Sequence, residues 1–92
     1  MLEIVYTNKM KRDAKRMNKR GKDLSKLTVA LDILAARKPM PEKYKDHQLK
    51  GDLKDFRECH IEPDWLLIYQ ILENKLILSA SGTGKHSELF DE

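Results

Sequence analysis

Leu2-Glu3-Ile4-Val5-Tyr6 opens the chain with β-forming residues and predicts a short strand over 2–6. Thr7 or Asn8 then offers a side-chain oxygen to a free backbone N–H, which suits a helix N-cap. Met10, Ala14 and Met17 recur at helical spacing, so a helix reaching about Arg20 has one narrow apolar stripe. Gly21 ends it, because glycine enters the left-handed region without a steric penalty. A second helix starts at Asp23 or Ser25. Its Leu24, Leu27, Leu31 and Leu34 recur every three or four residues, supported by Val29, Ala30, Ile33 and Ala35. Pro39 and Pro41 stop it.

From Glu42 to Gly51 the pattern is polar and irregular. A strand is predicted from about Lys54 to Ile61, followed by a Pro63-Asp64 turn in which proline presets φ. Trp65 to Leu72 is apolar on both faces, the mark of a central strand. Glu73-Asn74 turns the chain, Lys75 to Ala80 forms the last strand, and Gly82-Thr83-Gly84 reads as a loop leading to His86 and Phe90. The elements run β-α-α-β-β-β. The fold class is α+β, with two antiparallel helices joined at Gly21 and packed on one face of a four-stranded sheet.

Ninety-two residues form one domain, 1–92, with room for one core. No apolar run approaches the roughly 18 residues that a bilayer requires, and the first six residues are too short for the apolar part of a secretion signal. Cys59 is alone, so no internal disulfide can form, and a reducing cytoplasm is expected. The charge is unevenly spread. Between Lys9 and Lys22 eight cations face only Asp13, a net of +7 in a chain whose total is +3, leaving the rest at −4. Such a patch attracts polyanions or an acidic protein.

His47, His60 and His86 all lie beside predicted turns. Imidazole titrates near neutrality, so one ring can take a proton while another gives one. RNA strand cleavage needs that pair: a base removes the 2′-OH proton and an acid protonates the departing 5′ oxygen. Cations or N–H donors must offset charge on the phosphoryl oxygens. By strand alternation Phe56, Glu58 and His60 share one face, and Asp64 sits where it can orient His60 or act as a base. Trp65, Tyr44 and Phe90 are candidate stacking platforms for bases. Gly82-Thr83-Gly84-Lys85 is not a nucleotide-binding loop, which would need glycine at Ser79 and Ser or Thr at His86. No histidine pair has metal-ligand spacing, so neither metal nor cofactor is expected.

Tyr44-Lys45-Asp46-His47, Arg57-Glu58-Cys59-His60, Glu62-Pro63-Asp64-Trp65 and His86-Ser87-Glu88-Leu89-Phe90, in this order, resemble the YafQ family of the RelE toxin superfamily. The resemblance spans essentially the whole chain. It implies a RelE-like fold with a twisted, mainly antiparallel sheet. The implied activity is that of an mRNA interferase, an endoribonuclease that cuts mRNA in the A site of the 70S ribosome and blocks translation. A DinJ-like antitoxin would neutralise it, and operator DNA would be met only through the toxin–antitoxin complex. By motif match the resemblance assigns acid–base work to His47, His60, Asp64 and His86, with His86 as general acid, and base positioning to Phe90. Glu58 and Trp65 accompany them. Many relatives carry an arginine a few residues before the terminal histidine; here that stretch has none, and Lys85 or Arg57 is the nearest substitute cation. Lys11, Arg12, Lys15, Arg16, Lys19 and Arg20 are read as a ribosomal RNA docking surface. Two alternatives stand beside this reading: a non-catalytic ParE-like toxin that binds DNA gyrase, and a plain RNA- or ribosome-binding module.

Overall fold

The computed structural model describes residues 1–90. β1 (Glu3–Tyr6) leads into α1 (Asn8–Lys19) and α2 (Ser25–Ala35). An irregular stretch follows, holding the two-residue β2 (His47–Gln48) between short 3-10 turns at Glu42–Tyr44 and Gly51–Leu53. Then come β3 (Arg57–Glu62), β4 (Trp65–Leu72), β5 (Ile77–Gly84) and the short helix α3 (His86–Phe90). The sheet order is β1-β5-β4-β3-β2, with β1 parallel to β5 and the other neighbours antiparallel.

The α+β class and the predicted element order hold, with four differences, one of them α3, a helix beyond the predicted last strand. The sheet has five strands, not four, because His47 and Gln48 pair with Glu58 and Arg57. Two residues are too few to leave a periodic trace in sequence. β3 begins at Arg57, not Lys54, since Gly51–Leu53 winds into a turn that the Phe56 N–H closes on the Leu53 carbonyl at 2.9 Å. β5 begins at Ile77, after Leu76 adopts φ 53°, and runs through the supposed glycine loop to Gly84.

That extension has a physical cause in α1. Tyr69 pairs with Ala80 but Ile68 pairs with Gly82, so Ser81 is an extra residue that bulges the strand. Side chains from α1 and its N-cap take up the polar backbone groups there. Thr7 Oγ1 accepts the Met10 N–H at 3.0 Å, capping the helix, and donates to the Ser81 carbonyl at 3.1 Å. Asp13 Oδ2 accepts the Thr83 N–H at 3.2 Å. The buried row of α1 is therefore Met10, Asp13 and Met17, with Ala14 only half-buried. Lys9 and Arg16 neutralise the Asp13 carboxylate at 2.5 and 2.8 Å.

Leu27, Ala30, Leu31, Leu34 and Ala35 of α2 join Met10 and Met17 over one face of the sheet, against Cys59, Trp65, Leu67, Tyr69, Leu78 and Ala80. Val29, expected to support this face, points to solvent at 53% exposure. Alternation along β3 and β4 turns Glu58, His60, Leu66 and Ile68 to the opposite face, and register sets Glu58 beside Ile68 and His60 beside Leu66. The candidate chemistry lies on this second face, away from α1 and α2.

Candidate active site

Glu58 stands at the centre. It is buried, 5% exposed, in mid-strand on β3. Its Oε1 lies 3.6 Å from Nε2 of both His47 and His60. β2 carries His47 to one flank, by direct pairing with Glu58. His60 sits two residues along β3, on the same face. Each ring uses its other nitrogen on a backbone carbonyl: His47 Nδ1 meets Lys45 O at 2.7 Å and His60 Nδ1 meets Pro63 O at 3.2 Å. A carbonyl only accepts, so each Nδ1 carries a hydrogen. The lone pair of either neutral ring is then at Nε2, facing the carboxylate. A proton at either Nε2 has Glu58 as its counter-ion. Glu58 thus sits between the two rings, at the same distance from each.

Beyond His60 a cleft of about 610 Å³ opens, lined by His60, Pro63, Asp64, Leu66, Lys85, His86 and Ser87. His60, Asp64 and His86, predicted from sequence, meet there, and Lys85 adds a cation. His47 does not line the cleft and joins the set through Glu58. A smaller hollow of about 350 Å³ lies across the His60–Pro63 ridge and presents Lys43 and Lys45. The β3–β4 turn is braced from the α1–α2 connection and from α2: Lys22 and Lys26 each donate to Glu62 at 2.7 Å, holding its carboxyl below the usual range.

The cleft's far wall is α3. Its His86 and Phe90 rings, one turn apart, are 4.7 Å between centroids. Glu88 orders this helix. Its carboxylate accepts the Lys85 N–H at 2.9 Å and both guanidinium nitrogens of Arg20 at 2.8 and 2.5 Å, with Arg16 at 3.4 Å. Those donors, Arg20 foremost, hold the carboxyl at about 2. Gly84 turns the chain into α3 at φ 150°, and a β-carbon there would meet Glu88 Oε1 at 3.2 Å.

Several predicted site residues have other duties. Trp65 is wholly buried and donates Nε1–H to Thr83 Oγ1 at 2.8 Å, so it shows no face to a base. Thr83 passes its own hydrogen to the Leu66 carbonyl at 2.6 Å. Tyr44, 6% exposed, is likewise core. Arg57 is not a cleft cation: its guanidinium is engaged by Asp46 and by the Tyr69 hydroxyl. Lys85 is the cation that lines the cleft. Of the basic helix, Lys11, Arg12, Lys15 and Lys19 are exposed, whereas Arg16 and Arg20 turn toward Glu88.

Sequence reasoning missed Asp13, Glu88, Asp46 and Tyr69. Asp13 had a signal in being the lone acid among cations, with Lys9 and Arg16 at helical spacing. Glu88, three residues after Lys85, has capping-box spacing. Among the described residues no three His, Cys, Asp or Glu side chains group as a metal ion requires. No described helix is long and apolar enough to cross a membrane.

Residues 2–91 match the model of a bacterial toxin of type II toxin–antitoxin systems, YafQ. The chain is 39% identical over 89 residues to the mRNA interferase toxin YafQ of Escherichia coli K12, covering 96% of this chain and 95% of that one. Among solved structures, a metal-bound toxin from Helicobacter pylori is 49% identical with a TM-score of 0.93, covering 98% of this chain and all of that one. The toxin of the E. coli DinJ–YafQ complex is 40% identical with a TM-score of 0.87, covering 98% and 99%. With a match over nearly its full length and these relatives, the chain belongs to the YafQ family of bacterial type II toxin–antitoxin toxins.

Proposed function

We propose that this protein is an endoribonuclease toxin that cleaves mRNA in the ribosomal A site of the bacterial cytoplasm and is neutralised by a DinJ-like antitoxin. One observation carries the reading: His60 and His86, brought from β3 and α3, line the same cleft with Asp64 and Lys85. That is the arrangement in-line cleavage of a ribose phosphodiester requires. The relative called an mRNA interferase and the DinJ–YafQ complex support the substrate and the partner.

In this mechanism the 2′-OH gives its proton to the basic cluster, entering at Nε2 of His60 with Glu58 as counter-charge and His47 on the far side of that carboxylate. The 2′ oxygen attacks the adjacent phosphorus, and the bond to the 5′ oxygen breaks. His86 protonates that oxygen, leaving a 2′,3′-cyclic phosphate and a free 5′-OH. The Lys85 ammonium offsets charge on the phosphoryl oxygens. Asp64 orients the rings from the turn, and Phe90, packed at a tilt against His86, offers a face to the neighbouring base. Lys11, Arg12, Lys15 and Lys19 dock ribosomal RNA. Operator DNA is contacted only within the antitoxin complex.

Primer extension on mRNA after brief expression tests the proposal. Wild type yields cuts in translated message that His86→Ala loses while keeping its fold. Full cleavage by His86→Ala would remove the acid, and wild-type inhibition of supercoiling without RNA cuts would point to gyrase instead.

A further inference from the structure

We infer that Asp46, Arg57 and Tyr69 form a latch on the back of the sheet that positions His47 against Glu58. This rests on the cleavage reading above and adds positioning residues to it.

β2 is the edge strand and is two residues long. So short an edge frays unless something else holds it. Neighbouring strand residues point to opposite faces, so Asp46 falls behind the sheet when His47 stands in front of it. There the Asp46 carboxylate accepts the Tyr69 hydroxyl on Oδ1, and Arg57 Nη2 and Nε on Oδ2 at 2.8 and 3.3 Å. Arg57 Nε also donates to the Tyr69 oxygen at 3.2 Å, closing a three-membered network.

Tyr69 is the fixed post. It is 1% exposed, sits in mid-strand on β4 and packs in the helix-side core. Burial, and then the neighbouring Asp46, push its phenol above the usual range, so at neutral pH it keeps its hydrogen and donates. The chain just before His47 is thereby tied to the core. On the front, Lys45 takes φ 47° and turns its carbonyl to the His47 ring. Backbone anchored behind and ring anchored in front leave Nε2 one place, 3.6 Å from Glu58 Oε1. None of the three latch residues lines the cleft that holds His60 and His86.

The test is a double-mutant cycle read by RNA cleavage and by the ring resonances of the three histidines. Tyr69→Phe removes one hydroxyl and keeps the buried ring. It should lower kcat by about tenfold with KM unchanged, since a group misplaced by about 1 Å can lose up to roughly a hundredfold. In the free protein the His47 ring signals should shift and broaden while those of His60 and His86 stay. In a His47→Ala background Tyr69→Phe should cause no further loss. Equal losses in both backgrounds, or unmoved His47 signals, would overturn the latch. Asp46→Asn, on the half-buried loop, gives the same test if Tyr69→Phe does not fold. A wild type without any cleavage would defeat the proposed function, and the ring signals would still decide the latch.

Discussion

Glu88→Ala should disable the protein without unfolding it. α3 has five residues, far too few for a helix to persist in water unaided. It is ordered by β5 beneath it and by the one carboxylate that joins Lys85 N–H, Arg20 and Arg16. The drop of that carboxyl from 4.5 to about 2 corresponds to roughly 3 kcal/mol of preference for the charged form. Arg20 is 37% exposed, so solvent screening reduces the useful part to about 1–2 kcal/mol. Losing this lowers the ratio of docked to undocked α3 by roughly five- to thirtyfold. His86 and Phe90 travel with the helix, so cleavage should fall with the docked fraction, at most by that factor. The thermal midpoint should hardly move, because the core lies elsewhere. Glu88→Gln, which still accepts the Lys85 N–H but lacks the charge for Arg20, should fall between. The sign with pH is fixed by the direction of the shift. A carboxyl held low in the folded state contributes fully above its ordinary value near 4.5, and that contribution disappears as pH falls toward 2. Amide exchange at Lys85, followed from pH 6 to 2 beside cleavage at neutral pH, reads both effects. Unaltered Lys85 protection and unaltered cleavage in Glu88→Ala would refute the reasoning.

Trp65→Phe should cost about 1 kcal/mol in urea unfolding, from the missing bond to Thr83, and leave KM for RNA unchanged; a raised KM at constant stability would restore Trp65 as a base platform. Replacing Lys11, Arg12, Lys15 and Lys19 by Glu should weaken ribosome binding and flatten its salt dependence by roughly 0.7–0.9 in log–log slope for each phosphate no longer neutralised. An unchanged slope would place docking elsewhere. Cys59 is fully buried, and burial pushes its thiol to about 12, so a thiol reagent at pH 8 should label it only in denaturant. Rapid labelling of the native protein would show that the strand opens readily.

The elements with a repeating pattern were legible. Met10 and Met17, the leucines of α2, and the run from Trp65 to Leu72 announce themselves because burial selects one face of a helix or both faces of a central strand. Elements made by tertiary partners were not. β2 exists because β3 offers an edge, and β5 outruns Ala80 because Thr7 and Asp13 satisfy its backbone. The same division holds for the site. Three histidines and an acid beside turns are visible as types, but no local pattern says that Glu58 faces two rings, or that Arg57 is committed behind the sheet. Facing direction depends on register, and register is set by pairings that close only in three dimensions.

β5 lies between β1 and β4, so the strand made last fills the gap beside the strand made first. A growing polypeptide that has not yet released residues 77–84 has no continuous sheet and no seat for His86. The face that seats His86 beside His60 is therefore completed only once β5 has been made. The strand pairing of β1 waits on that closing event, and contacts so distant in sequence close slowly.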